Sequence, residues 1–292
     1  MDKADAERHA AALDAHPDFR VLRRLPDTPT SDGAGEPVRT GLYVDVETTG
    51  VDPANDRVIE LAMVLFGYDA QGRITGTMER FDQLEDPGRP IPPEVVALTG
   101  IRDEDVRGRA IDERAAGALV ERAHLIIAHN AAFDRAFLEA RLPLFADLPW
   151  ACSANDVPWS DEGMESRKLE WLAYRFGVFY DGHRAEADCV AGVHVLAQRL
   201  PRSGTVAMNA LLDAARRRTV RFAAVGAPFE TKDLLKARGY RWRPLRKVWV
   251  RSVPEEVADQ ERAWLRERIY AGGGAPEERF VTAYERYSRR VE

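Results

Sequence analysis

The sequence predicts an α/β protein, a mixed sheet flanked by helices and followed by a small α+β C-terminal unit. Three observations carry that expectation. Residues 41–82 hold three strand-length apolar runs in succession, separated by polar and turn-forming residues. Beyond residue 92, segments of helical period surround one compact apolar run at 125–128. After a Pro-, Ser- and Gly-containing break at 201–208, strand-like and helix-like segments alternate again on a smaller scale.

Residues 4–14 keep helical spacing through Ala4, His9 and Leu13, and residues 25–36, rich in Pro, Ser and Gly, predict a linker or mobile loop. Strands are expected at 41–47, 57–68 and 74–82, the last two joined by a Gln71-Gly72 turn, and three sequential strands imply an antiparallel meander. Prolines open a short helix at 92–98, and Ile111, Ala115, Ala118 and Leu119 space a longer one over 111–123. The run 125–128 is a buried strand. Asn130 then suits the N-cap of a helix ended by Pro143, and Ser166 that of a helix ended by Gly177. Residues 185–200 complete the helices on the sheet. Residues 1–38 are thus an N-terminal helix and linker, 39–200 the principal domain, 201–215 a linker helix, and 216–292 a small basic domain, separable after about Leu200.

Composition limits the function classes. With 292 residues, 45% hydrophobic and 31% charged, the chain can bury a sizeable core. No apolar stretch approaches the roughly 18 to 20 residues that span a bilayer, and the charged residues among the first ten leave no signal core. A cytoplasmic protein without a membrane partner is expected. Cys152 and Cys189 offer neither a disulfide framework nor a zinc spacing. The net charge of −6 conceals a division: residues 216–251 carry 12 Lys or Arg against Glu230 and Asp233, so the remainder is strongly acidic. One part is suited to a polyanion and the other to cations.

The chemistry gathers in three short stretches. Asp45 and Glu47, two apart on a strand, project from the same side. His129-Asn-Ala-Ala-Phe-Asp134 follows the 125–128 strand, so Asp134 falls near the sheet edge beside Asp45. His183-Arg-Ala-Glu-Ala-Asp188 places Asp188 in a helix. Five steps of roughly 100° turn His183 away from the face of Asp188, so the histidine belongs to a preceding loop. Three Asp and one Glu are hard oxygen ligands suited to two divalent cations, Mg²⁺ or Mn²⁺, and poorly suited to zinc. Imidazole exchanges protons near neutral pH, which fits His183 for taking a proton from an attacking water. Taken singly, an Asp-x-Glu is more often a solvated strand end, and His129 more often a packed or substrate-side residue than a ligand.

The order of these stretches resembles the three motifs of the DEDDh branch of the DEDD exonuclease superfamily, the DnaQ-like family that includes bacterial polymerase proofreading subunits. The resemblance covers about residues 40–200 and extends to Leu98-Thr-Gly-Ile101 and Arg167-Lys-Leu-Glu170. It implies a ribonuclease H-like fold and 3′ to 5′ exonuclease activity releasing nucleoside monophosphates. It also implies metal ligation by Asp45, Glu47, Asp134 and Asp188, with His183 as general base. Thr48, Thr49, His129 and Asn130 fall where similar enzymes meet the terminal nucleotide, and Phe133 is either a base contact or core. The motifs leave DNA and RNA both open as substrates. They also leave open a polymerase or repair partner and a non-catalytic binding module, although the intact carboxylate set disfavours the latter.

In the basic unit, Lys232 and Lys236 stand one helical turn apart, and Tyr240, Trp242 and Trp249 are interleaved with arginines. This suits a stacking platform edged by phosphate-binding cations, with Lys232, Lys236 and Trp242 as contacts to single-stranded DNA. It equally suits the apolar core of a small domain with an ordinary basic surface.

Overall fold

Along the first long strand Leu42, Val44 and Val46 point one way and Tyr43, Asp45 and Glu47 the other, as the two-residue period of an extended chain requires. Leu42, Tyr43 and Val44 are fully buried, so this strand is packed on both faces and becomes polar only at its C-terminal end. The computed structural model describes residues 1–244 and 246–291. In chain order the elements are α1 (Lys3–Asp14), β1 (Arg23–Arg24), β2 (Arg39–Thr48), β3 (Val58–Tyr68), β4 (Ile74–Leu84), α2 (Pro93–Thr99), α3 (Asp103–Val106), α4 (Glu113–Val120), β5 (Leu125–Ala128), α5 (Ala132–Arg141), β6 (Trp150–Cys152), α6 (Leu169–Arg175), β7 (Val178–Phe179), α7 (Ala185–Ala197), α8 (Ala207–Arg216), β8 (Thr219–Ala224), α9 (Lys232–Ala237), β9 (Arg241–Arg243), β10 (Val248–Pro254), α10 (Ala258–Arg268) and β11 (Glu277–Val281).

The main sheet runs β4-β3-β2-β5-β6, with the first three strands an antiparallel meander and β5 and β6 parallel to β2. Alternation along the strands divides the core in two. Tyr43, Val64 and Phe66 pack against Leu172, Val193 and Leu211 of α6, α7 and α8. Leu42, Met63 and Leu65 pack against Leu119, Phe137 and Leu138 of α4 and α5. The result is a mixed sheet between two helical layers, as expected for a ribonuclease H-like fold. Helix α7 comes unusually close to β2, because a Cβ on Gly192 would lie 2.0 Å from Cζ of Tyr43. Only glycine permits that approach. Among the described residues, no helix is long and apolar enough to cross a membrane.

Several local expectations are corrected. Residues 25–36 form no helix or strand but do not hang free: Ser31 is buried, its hydroxyl donating to the Ala197 carbonyl at 3.0 Å and accepting from the Ile74 N–H at 2.9 Å. Asn130 caps nothing; α5 begins at Ala132 without a side-chain cap, and Asn130 is left-handed, with φ of 69°. Ser166 likewise lies outside α6, whose N-cap position is Lys168. Helix α8 buries Met208, Leu211 and Leu212 in the same core as α7, so it is part of the large domain's packing rather than a bare connector.

The C-terminal unit is an antiparallel sheet, β11-β8-β10-β9. One face, through Val220, Phe222, Ala224 and Val253, carries Leu235 of α9 and Leu265 of α10. Strand β11 was not expected, because Glu277 to Phe280 are all exposed and the apolar alternation of a strand is missing. Beyond β11 the chain returns to the large domain. Ala283 accepts from the Trp150 N–H at 2.9 Å, and the fully buried Arg135 of α5 donates to the carbonyls of Tyr284 at 2.7 Å and Arg286 at 2.6 Å. Tyr287 donates to Asp156 at 2.7 Å, and Ser288 to Glu139, also at 2.7 Å. Cutting the chain after Leu200 would therefore strip acceptors from a buried guanidinium, and a clean separation of domains at that point is not to be expected.

Candidate active site

Asp45 and Glu47 project from the C-terminal end of β2 on the side that faces α7, and the close approach at Gly192 brings Asp188, one turn earlier, over them. Oxygens of Asp45, Glu47 and Asp188 lie within 4.8 Å of one another. Asp134, buried in the first turn of α5, is near enough for its charge to act on Asp45.

So many carboxylates in so little water resist ionising together. Burial, and then the charges of Asp134, Asp188, Glu47 and Glu60, hold Asp45 well above the usual carboxylate range. Glu47 is pushed up to about 7 by burial, with Asp188 and Glu60 adding to it. Asp134 is pushed up to about 8, mainly by burial, against the opposing pull of the Asp134 and Val46 N–H groups. Asp188 is also raised by burial, although Tyr180 donates to it at 2.8 Å and the His183 N–H at 2.9 Å. A hard, oxygen-only donor set in this state fits divalent cations, whose charge would offset the repulsion. Cys189, buried behind Asp45, donates its thiol to the Ala62 carbonyl at 3.5 Å and serves packing.

His183 lies on the loop between β7 and α7 with φ of 64°, and its half-exposed ring has Nε2 3.5 Å from Glu170 Oε1. The loop is anchored by a residue the sequence did not single out. Glu60, fully buried on β3 and in register with Glu47, accepts from Arg184 Nη2 at 2.7 Å, from Arg184 Nε at 3.0 Å and from the Ala185 N–H at 3.0 Å. It thus fixes the residue after His183 and the first turn of α7. The signal that could have found Glu60 is a lone charge in an otherwise apolar run of eleven residues.

Around this cluster, the Thr48 hydroxyl donates to the Gly50 carbonyl at 2.5 Å, while the Thr49 hydroxyl accepts from Arg89 at 2.6 Å and from the Arg57 N–H at 3.0 Å. His129 is held at both nitrogens, 2.9 Å from the Ser153 hydroxyl and 2.8 Å from the Arg167 carbonyl, and burial lowers its pKa to about 4. Phe133 is half-buried against Phe137, centroids 5.0 Å apart. Asn130 is exposed. Lys232, Lys236 and Trp242 are not brought to the carboxylates. The two lysines ride on α9, Lys232 over the Phe229 ring, and Trp242 packs on Trp249, on the helix-covered face of the small sheet.

Residues 42–196 match the family model of the RNase T type, described as exonuclease. The chain belongs to this exonuclease family. It is 33% identical over 153 residues to the DNA polymerase III subunit epsilon of Treponema pallidum (strain Nichols), covering 49% of this chain and 68% of that protein. It is 36% identical over 169 residues to the PolC-type DNA polymerase III of Halalkalibacterium halodurans, covering 53% of this chain but 11% of that one. An epsilon-like protein of Rhodobacter capsulatus is 30% identical over 177 residues, 56% of this chain and 24% of its own. Among solved structures, exonuclease I superposes with a TM-score of 0.50 at 18% identity, over 76% of this chain and 67% of that one, which supports the shared fold. The protein is therefore a nuclease hydrolase by family, and residues 197–292 fall outside the matched model.

Proposed function

We propose that this exonuclease removes nucleotides from the 3′ end of nucleic acid, single-stranded DNA in preference, and releases nucleoside 5′-monophosphates. The observation that carries the proposal is the convergence of Asp45, Glu47 and Asp188 within 4.8 Å, with Asp134 beside them and His183 tied by its N–H to Asp188. Asp45, Glu47, Asp134 and Asp188 would hold two cations, Mg²⁺ or Mn²⁺. When bound, these supply electrostatic stabilisation to the attacking and leaving oxygens of an in-line displacement. His183 accepts the proton of the attacking water and passes it to bulk solvent, to which its ring is half open. Glu170, 3.5 Å away, stabilises the imidazolium that forms. Thr48 and Thr49 place backbone groups under the terminal nucleotide, since the Thr49 hydroxyl is committed to Arg89 and Arg57.

Digestion of end-labelled single-stranded DNA, duplex DNA and RNA tests this reading. Mononucleotide ladders with Mg²⁺ or Mn²⁺ and none with EDTA are expected, and near wild-type activity in Asp45→Ala would sink the two-cation site. A proofreading role beside a polymerase is the second reading, favoured by the likeness to epsilon and PolC-type proteins. It predicts faster removal of mispaired than paired 3′ termini.

A further inference from the structure

A cleft of about 730 Å³ separates the large domain from the small sheet. Its near wall is made by Asn130, Ala132, Asn155 and Asp156, at the C-terminal ends of β5 and β6. Ala132 is two residues from Asp134, so their Cα atoms lie within about 7 Å. The sheet order places β5 and then β6 outward from β2, so the near wall lies on the β5–β6 side of the carboxylate cluster, which itself does not line the cleft. Its far wall is the face of the small sheet that α9 and α10 leave uncovered. Thr219 and Arg221 of β8, Arg241 and Arg243 of β9, and Val250 and Ser252 of β10 share that face by register. Arg217 and Arg289 complete the rim.

Seven arginines line this cleft against two acids, Asp156 and Glu285, and both acids are already engaged, Asp156 by Tyr287 and Glu285 by Arg279. Some of the arginines have structural duties as well: Arg251 is held by Glu261 at 2.7 Å, Arg286 donates to the Ala214 and Arg217 carbonyls, and Arg289 lies 3.8 Å from Asp52. Arg217, Arg241 and Arg289 are exposed. Tyr287 is the only aromatic among the described lining residues, and its hydroxyl is used. The cleft is thus built for anionic oxygens and offers little for bases to stack on.

We infer that this cleft holds the sugar–phosphate backbone of the strand whose 3′ end lies in the carboxylate cluster, gripping it upstream of the cleaved bond without regard to base sequence. The inference rests on the exonuclease reading for the position of that end. It assigns the polyanion contact to the uncovered face of the small sheet, and not to Lys232, Lys236 and Trp242 on the covered one. An arginine-lined groove neutralises phosphates and releases their counterions, so binding through it weakens steeply with salt.

The test measures fluorescence anisotropy of a labelled long single strand with the full chain in EDTA, across a salt series and with strands of different base composition. Arg217→Glu/Arg241→Glu should weaken binding by about tenfold or more, and reduce the salt slope by about 0.7 for each phosphate that is no longer neutralised. Arg217→Gln/Arg241→Gln should fall between it and wild type. Arg266→Glu/Arg268→Glu, the same charge change on exposed positions of α10, should bind as wild type. Wild-type affinity and slope in the cleft variant, or an equally weakened α10 variant, overturns the inference. Because the assay runs without hydrolysis, a wild-type protein that digests nothing with Mg²⁺ or Mn²⁺ would refute the exonuclease reading separately.

Discussion

Arg184 lays its guanidinium against Glu60 with Nη2 2.7 Å from the carboxylate, and it is the neighbour in sequence of His183. The buried acid therefore sets where the histidine loop leaves the sheet. Glu60→Gln should lower kcat by about 10- to 100-fold, as removing an outer partner does at metal sites, with KM little changed. Steady-state kinetics on a short oligonucleotide decides it. A parallel rise in KM would mean that Glu60 supports substrate binding instead.

The pH dependence of the metal-free protein follows from the raised carboxylates. Glu47 at about 7 and Asp134 at about 8 lie above their ordinary values, so the fold favours their protonated forms. The stability they contribute is complete below about pH 4 and is lost as pH rises through about 7 to 8. In EDTA the melting temperature should fall over that window. Mn²⁺ should restore it, and more so at the alkaline end, where protons no longer compete. Melting curves with a flat EDTA profile would contradict the raised values.

His183→Ala should cost on the order of 10² to 10⁴-fold in turnover while leaving affinity for single strands nearly intact, because a base acts on the water and not on the grip. Single-turnover rates beside equilibrium binding separate the two. Retained turnover with weakened binding would make His183 a substrate contact.

Deleting residues 282–292 should destabilise the large domain, although none of the described residues among them belongs to its sheet. Arg135 is wholly buried, and the segment supplies its Tyr284 and Arg286 acceptors as well as Ser288 to Glu139. Leaving that guanidinium short of partners should cost about 3 kcal/mol. Urea denaturation reports it, and an unchanged midpoint would show that solvent replaces the tail without penalty.

What the sequence disclosed was local. Asp45 and Glu47 announced themselves because an alternating strand places both on one side, and the meander followed from three strands in succession. Features joined by distant partners stayed hidden. Glu60 finds its counterpart 124 residues away, and Ser31 its acceptor 166 away, so neither leaves a pattern in its own neighbourhood. Strand β11 is a sheet edge with four exposed residues in a row, which removes the apolar alternation that marks a strand. Asn130 misled for a different reason: its residue type suits a cap, and the same short amide tolerates the left-handed turn it adopts.

A span of 151 residues separates Arg135 from the Arg286 carbonyl, and the chain is made in order. On a ribosome adding about 5 to 20 residues per second, α5 emerges roughly eight to thirty seconds before the acceptors that complete its burial. Through that interval Arg135, on the helix bearing Asp134, keeps Glu139 at 2.6 Å but lacks its Tyr284 and Arg286 acceptors. A chain synthesised only as far as α8 would therefore hold the helix of Asp134 more loosely than one in which residues 284–288 have docked.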